Sequence, residues 1–326
     1  MSVKSYGFAV GNLRARENSL LKPNDLAGLL SAHNIFELGN LMRDKGIGEG
    51  VNQSDPLLLI KQHTVALWRY LTDIAPDMNA FAPFIYENDF HNLKAILKSV
   101  LKDRDFENLL IVPSLIEVSL IEKAVKEKKF DILPPCMSEC AKEAYEILTQ
   151  TGDAQLADGV IDAALMRTQL EIVKESKVQI VEQLINIKVF YNNIKVALRG
   201  AKSRKTAEFF DKTLVGTGYI ALKELKNAAL AGEGKVLELL CRVTEASGEK
   251  AAKLYEDAPW KLEKFCDDLL MSKARFCKSV TMGIEPLIGY MYARLTEIQN
   301  LRIIYSGVKT GQETSKTEER LRELYG

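Results

Sequence analysis

The sequence predicts an all-α protein made of three similar helical modules, and three observations carry that prediction. Leu, Ala, Lys and Glu dominate, and long segments place apolar residues at three- and four-residue steps, as a helix with one buried face requires. No alternating apolar and polar run reaches useful strand length, so the packing must be helix on helix. A short phrase also occurs three times: Asp89-Phe90-His91-Asn92-Leu93-Lys94-Ala95-Ile96-Leu97, Phe190-Tyr191-Asn192-Asn193-Ile194-Lys195-Val196-Ala197-Leu198 and Glu297-Ile298-Gln299-Asn300-Leu301-Arg302-Ile303-Ile304-Tyr305. Asn92, Asn193 and Asn300 lie 101 and 107 residues apart. Solenoid repeats run about 20 to 50 residues, so each copy marks a domain-sized unit. The expected modules are 1–104, 105–206 and 207–326, with helices free to interleave at the borders.

Taken in order, the elements are punctuated by proline and glycine. Pro76 and Pro83 interrupt the first module, Pro113 is expected to open a helix, and Pro134-Pro135 to force a break. Between Leu156 and Leu198, residues such as Val160, Ile161, Ala164, Val181, Leu184 and Ile185 recur at helical spacing. Gly200 and Gly307 fall where helix C-caps are expected. Similarity extends beyond the phrase: the run from Asp158 to Arg167 precedes the second copy, and Leu262 to Met271 the third. After copies one and two come Ile111 to Ile116 and Val215 to Ile220, each read as a small-residue turn leading into a helix. At the end, Thr310 to Lys316 reads as polar and loose, and Thr317 to Tyr325 as a short amphipathic helix.

Helical geometry divides the phrase into parts. Residues two before, one after and five after the Asn share a stripe: Phe90, Leu93, Leu97; Tyr191, Ile194, Leu198; Ile298, Leu301, Tyr305. The stripe is expected to be core. Asn92, Asn193 and Asn300 flank it, and each amide is read as a structural group satisfying the backbone of a neighbouring helix. Lys94, Lys195 and Arg302 lie roughly 200° round from the Asn and so point elsewhere. Further basic residues follow each copy, among them Lys98, Arg104, Arg199, Lys202, Arg204 and Lys309. Two readings stand for them: cations suit the last turn of a helix, where carbonyls are unpaired, or three similar basic helix ends face a common partner.

The bulk numbers bound the function. With 47% apolar and 27% charged residues, the chain is an ordinary globular protein with two or three cores. Its 44 basic and 44 acidic residues cancel, which argues against a general nucleic-acid binder. The longest uncharged stretch is about a dozen residues, around Leu26 to Phe36, short of the roughly 20 that cross a bilayer. The opening Met1-Ser2-Val3-Lys4-Ser5-Tyr6 lacks the apolar core of a signal peptide, which predicts a cytoplasmic location. Cysteines at 136, 140, 241, 266 and 277 fit reduced thiols better than a disulfide framework.

Motifs for chemistry fail on inspection. Gly232-Glu233-Gly234-Lys235 lacks the earlier glycine of a phosphate loop, Ala229 standing there, and Val236 replaces the Ser or Thr that should follow the lysine, so the stretch reads as an ordinary glycine-rich loop. Gly216-Thr217-Gly218 lacks the buried strand that a dinucleotide site needs, and reads as a turn between helices. Three histidines, His33, His63 and His91, form no metal-binding spacing. Cys136 and Cys140 are two thiols alone, and Asp267-Asp268 reads as a solvated helix face. No catalytic, cofactor or metal residues are assigned. A generic helical scaffold or adaptor, and a helical enzyme with a scattered site, stand as rival readings.

The triplicated Asn-Leu/Ile-Lys/Arg phrase does not stand by itself. With it come the opening Tyr6 and Leu13-Arg14-Ala15-Arg16-Glu17-Asn18-Ser19-Leu20-Leu21, the segment Glu87 to Lys94, and the closing Ala293 to Arg302. Together they resemble, over nearly the whole chain, the C subunits of archaeal and bacterial A/V-type ATPases, whose counterparts in eukaryotic V-ATPases are the d subunits. The resemblance implies a funnel of three helical domains about a pseudo-threefold axis, seated on the cytoplasmic face of the membrane's proteolipid ring. It implies a socket for the central-shaft subunits of the D/F type, and a non-catalytic part in ATP-linked transport of H+ or Na+. It implies no cofactor and no direct nucleotide binding. Lys94, Lys195, Arg302, Arg199 and Arg204 are then the candidates for partner contact.

Overall fold

The computed structural model describes residues 5–326; Met1-Ser2-Val3-Lys4, part of the segment that predicts a cytoplasmic location, lies outside them. The described residues form fifteen α-helices and no strand, so the protein is all-α. In chain order these are α1 (Tyr6–Glu17), α2 (Pro23–Leu30), α3 (Ile35–Asp44), α4 (Pro56–Ile74), α5 (Ala82–Leu101), α6 (Val118–Glu127), α7 (Pro135–Gln150) and α8 (Ala154–Glu175). There follow α9 (Gln179–Lys202), α10 (Ala207–Thr213), α11 (Leu222–Ala231), α12 (Glu233–Asp257), α13 (Pro259–Ala274), α14 (Glu285–Thr310) and α15 (Thr314–Glu318). Among the described residues no helix is long and apolar enough to cross a membrane.

The starts of these helices are written in the sequence. Six of the nine prolines, at 23, 56, 83, 135, 259 and 286, occupy a first or second helical position, where the missing N–H has no partner to lose. Ser5, Asn34, Asp55, Asp153 and Thr206 each offer a side-chain oxygen to an amide of the first turn.

The chain gathers into two compact units, Met1–Met78 with Leu254–Gly326, and Asn79–Lys253. The expected module borders at 104 and 206 both fall inside the second unit, and the second border between the units falls within α12. In the first unit α14 is packed by α1, α3, α4 and α13. It therefore buries residues on several sides, including Leu287, Ile288, Met291, Leu301 and Ile304. In the second unit Phe90, Leu93, Ile96 and Leu97 of α5 share a core with Ile121 and Val125 of α6, Met137 and Ala141 of α7, and Val160 and Ile161 of α8. α9 packs against α8, α10 and α11 through residues such as Val189, Ile194 and Leu198.

Four local expectations are corrected. Pro113 opens no helix: it lies in an irregular connector whose carbonyl is taken by Asn88. Gly234 and Lys235 lie inside α12; the break falls at Gly232, whose φ of 121° closes α11 in a conformation that favours glycine. The last residues are not a helix from Thr317 onward: α15 ends at Glu318, and Leu321 to Tyr325 run as an irregular strap with Leu324 and Tyr325 buried. Side chains take the strap's polar groups, so it needs no helix to pair them. Tyr305 is half-exposed, and Ile304 fills the core in its place.

Gly200 and Gly307 are not caps either, because α9 and α14 run past both. Each is instead a point of close approach by a later segment, Gly200 to the Phe210 ring and Gly307 to Thr317. Both stand seven residues after the repeated Asn, where the first copy has the small, buried Ser99. A methyl group at Gly200 would overlap a fully buried ring. Gly200→Ala is therefore expected to destabilise by about 1 to 3 kcal/mol despite alanine's better helix propensity. Gly234→Ala, with open space around it in α12, is expected to stabilise by about 0.5 to 1 kcal/mol. Denaturant midpoints of the two variants should move in opposite directions, and a shared sign would refute the close-approach account.

Candidate functional site

The three repeated asparagines are buried, and each makes the same two-bond clasp. Asn92 Nδ2 donates to Ile111 O at 3.0 Å while Ile111 N donates back to Oδ1 at 2.8 Å. Asn193 does the same with Val215, at 2.7 and 3.0 Å, and Asn300 with Arg322, at 3.0 and 2.7 Å. The gripped residues lie 19, 22 and 22 positions further on. Because a backbone N–H can only donate and a carbonyl only accept, each clasp fixes which way its amide points. The partner is not a neighbouring helix, as the sequence suggests, but a connector. Mid-helix backbone groups are already paired, whereas an irregular segment still has both to offer.

Around Asn92 the grip is extended by its neighbours on α5. Asn88 Nδ2 donates to Pro113 O at 2.8 Å, and His91 Nε2 lies 3.1 Å from Leu109 O. The buried Asp89 accepts from the Ser114 hydroxyl and from the amides of Leu115 and Ile116. Glu87 accepts from Gln169 Nε2 at 3.0 Å and from Lys188 Nζ at 2.6 Å. Glu87 and Lys188 each stand five residues before their own repeated Asn, so equivalent positions of two copies pair with one another. The whole Glu87 to Asn92 motif is thus a clamp. Its one signal in the sequence is an acid three before Asn92, echoed by Glu297 three before Asn300.

Burial raises the Asp89 carboxyl above its ordinary value of 3.8, outweighing the pull of its three hydrogen bonds in the other direction. The folded chain therefore holds this proton more tightly than the unfolded chain. Its contribution to stability falls as pH rises from 3.8 through the folded-state value. Asp89→Asn is expected to flatten that fall, checked by unfolding midpoints measured across the acidic range. An unchanged slope would assign the pH dependence elsewhere.

In the first unit α14 holds both a strap and a turn. Asp267 accepts from Arg322 Nε and from Gln299 Nε2, each at 2.8 Å, and Asp268 accepts from Glu323 N at 2.8 Å. Asp267-Asp268 is therefore half-buried anchorage for the C-terminal strap, not a solvated face. Arg275 donates to Leu324 O. Further along α14, Arg294 binds Glu297 at 2.8 Å, the Tyr290 hydroxyl at 2.9 Å and Ser19. Glu297 accepts from Leu21 N. Two separate sequence motifs, Leu13 to Leu21 and Ala293 to Arg302, are thus one piece of structure. They border a cleft of about 640 Å³ that Lys45, His63 and Tyr70 also line. Tyr70 hydrogen-bonds Asn12 and stacks under Arg16, and burial pushes its hydroxyl up to about 12.

The candidate cations do not form one equivalent set. Lys94 is paired with Asp162, and Lys98 with Asp158 at 2.6 Å, a two-rung ladder from α5 to α8. Lys195 is half-buried, and Arg199, Arg204 and Arg302 are exposed. None of these four is in an ion pair with a carboxylate among the described residues. The described cysteines are free thiols, and burial raises Cys140 to about 12 and Cys277 to about 11, which keeps both protonated and unreactive. Among the described residues no group of three His, Cys, Asp or Glu could hold a metal ion. What the arrangement does is fasten connectors to long helices, at three equivalent places.

Comparison with known proteins agrees in extent. Residues 9–320 match the sequence model of the ATP synthase (C/AC39) subunit family. The chain is 21% identical to the C subunit of the V-type sodium ATPase of Enterococcus hirae, covering 96% of this chain and 97% of that protein. It is 25% identical to the C subunit of the A-type ATP synthase of Methanocaldococcus jannaschii, over 93% of this chain and 82% of that one. The corresponding protein of Methanobrevibacter smithii is 24% identical, over 93% and 84%.

Proposed function

The chain belongs to the ATP synthase (C/AC39) subunit family, and from that premise we propose that it is a non-catalytic rotor component of a V/A-type rotary ATPase. In this role it joins the central shaft to the proteolipid ring on the cytoplasmic face of the membrane, serving ATP-linked transport of H+ or Na+. The observation that carries the reading is the extent of the family match, which takes in the phrase, the opening motif and the closing motif together. The geometry supports it. The quoted motif residues hold one part of the chain to another, and a part that transmits torque needs such stiffness more than it needs an active centre.

The two clasps of Asn92 and Asn193 belong to the second unit and that of Asn300 to the first, which supports a three-module organisation. We propose D/F-type shaft subunits as the partners on the shaft side. Lys195, Arg199, Arg204 and Arg302 are the cations free to meet acidic partners, while Lys94 is held by Asp162. Such pairs act more on encounter rate and orientation than on total affinity.

A pull-down of the full chain with purified shaft subunits, and separately with the purified ring, tests the role. Retention of both is expected, and retention of neither overturns it. Charge reversal at Lys195, Arg199 and Arg302 together is expected to weaken at least one of the two. Unchanged binding to both would remove the basic residues from the interface while leaving the role intact.

A further inference from the structure

Copies one and three of the repeated helix are each crossed by the helix that leads into the following copy, counting from three back to one. α8, which leads into copy two, lies along α5: Glu87 accepts from Gln169, Lys94 pairs with Asp162, and Lys98 with Asp158. α4, which leads into copy one, lies along α14: the Tyr70 ring meets that of Tyr290 at 5.7 Å, and His63 Nε2 stands 4.0 Å from Glu297 Oε2. Seven residues up α5, from Glu87 to Lys94, are seven down α8, from Gln169 to Asp162. Seven up α4, from His63 to Tyr70, are likewise seven down α14, from Glu297 to Tyr290. Both crossings are therefore antiparallel and in constant register.

Copy two is the exception. Among the described residues the helices packed on α9 are its own lead-in, α8, together with α10 and α11. Lys195 and Arg199 stand 101 residues after Lys94 and Lys98, at the same two places of the repeat, and neither meets a carboxylate among the described residues. Arg199 Nε turns back to Lys195 O, 3.3 Å away on its own helix. Val196 beside them is half-buried, where its equivalent Ala95 on α5 is buried. The stripe is thus closed at its start, where Glu87 holds Lys188, and open from Lys195 onward.

We infer that this face of α9 is a docking site for a helix of another protein, antiparallel to α9 and carrying two carboxylates one turn apart, an inference that rests on the reading of Lys195 and Arg199 as partner contacts. The chemistry of the occupant is read from α5, whose equivalent face is covered by α8 with Asp158 and Asp162 four residues apart. Four residues of helix rise about 6 Å, so a carboxylate pair at that step meets a cation pair at the same step without bending either helix. Lys195 is half-buried, and a carboxylate brought to it is screened less than at a fully exposed cation. The spacing also separates this partner from a nucleic acid or a lipid surface, whose phosphates follow no helical step and draw on cations wherever they lie.

The test uses the full chain and a stapled helical peptide of the α8 sequence, Ala154–Glu175, beside the same peptide with Asp158→Lys and Asp162→Lys. At low ionic strength the first peptide is expected to bind the unmodified chain, and Lys195→Glu with Arg199→Glu to weaken it about tenfold or more. The charge-swapped peptide is expected to bind that reversed chain within about threefold of the original pair. Lys174→Glu with Lys177→Glu, the same change of charge at two exposed lysines, is expected to stay within about twofold. Because Lys195 and Arg199 are unpaired with carboxylates, the reversed chain should melt within about 3 °C of the original. Absence of peptide binding, binding kept within about twofold after the reversal, an equal loss in the Lys174 and Lys177 control, or no recovery with the swapped peptide overturns the inference. So does a larger fall in the melt, which would place a carboxylate of this chain on the stripe. The pull-down with shaft and ring judges the rotor role and the peptide judges this surface, so either can fail alone.

Discussion

Asn193→Ala is expected to destabilise the protein by about 3 to 5 kcal/mol, far more than a change at its neighbour Asn192. The variant loses two hydrogen bonds worth about 1 kcal/mol each, and leaves the N–H and C=O of the buried Val215 without partners at about 1 to 3 kcal/mol each. For a unit of this size each kcal/mol lowers Tm by about 2 to 4 °C, so a fall of about 10 °C is expected. Asn193→Asp should not rescue it. A carboxylate still accepts from Val215 N but sets its other oxygen against Val215 O, where a donor is required. Asn192, half-buried beside it, gives the internal control, with Asn192→Ala expected to stay within about 0.5 kcal/mol. Equal effects at the two positions would mean that the repeated register carries no special role.

How much of this was legible in advance depended on range. The all-α class and the apolar stripe through Leu93, Ile194 and Leu301 follow from local pattern, because helix formation is decided within a few turns, whereas the prolines mislead: Pro113 is expected to open a helix and lies in a connector. Asn92, Asn193 and Asn300 could be singled out as structural from their recurrence. Their partners could not be named: a grip 19 to 22 residues away depends on where a connector returns, and no periodicity records that. The same holds for Gly200 and Gly307, whose sequence neighbourhood resembles a cap while the ring or hydroxyl pressed against them comes from the next element. Lys94 and Asp162 illustrate the limit for charges. Nothing in the sequence separates Lys94 from Lys195 and Arg302, yet α8 brings a carboxylate to the first alone.

Arg294→Ala is expected to cost about 3 to 5 kcal/mol, because it leaves the carboxylate of Glu297 almost fully buried and without its counter-ion. Changing both residues, Arg294→Met with Glu297→Leu, should recover most of the deficit, since an apolar pair of similar volume needs no counter-ion. Recovery should stop short by about 1 to 3 kcal/mol, because Leu21 N would still lack the acceptor that Glu297 supplies, and Ser19 and the Tyr290 hydroxyl the donor that Arg294 supplies. Full recovery would make Arg294 and Glu297 a self-contained ion pair, whereas the expected shortfall identifies the pair as what pins the end of the Leu13 to Leu21 motif to α14.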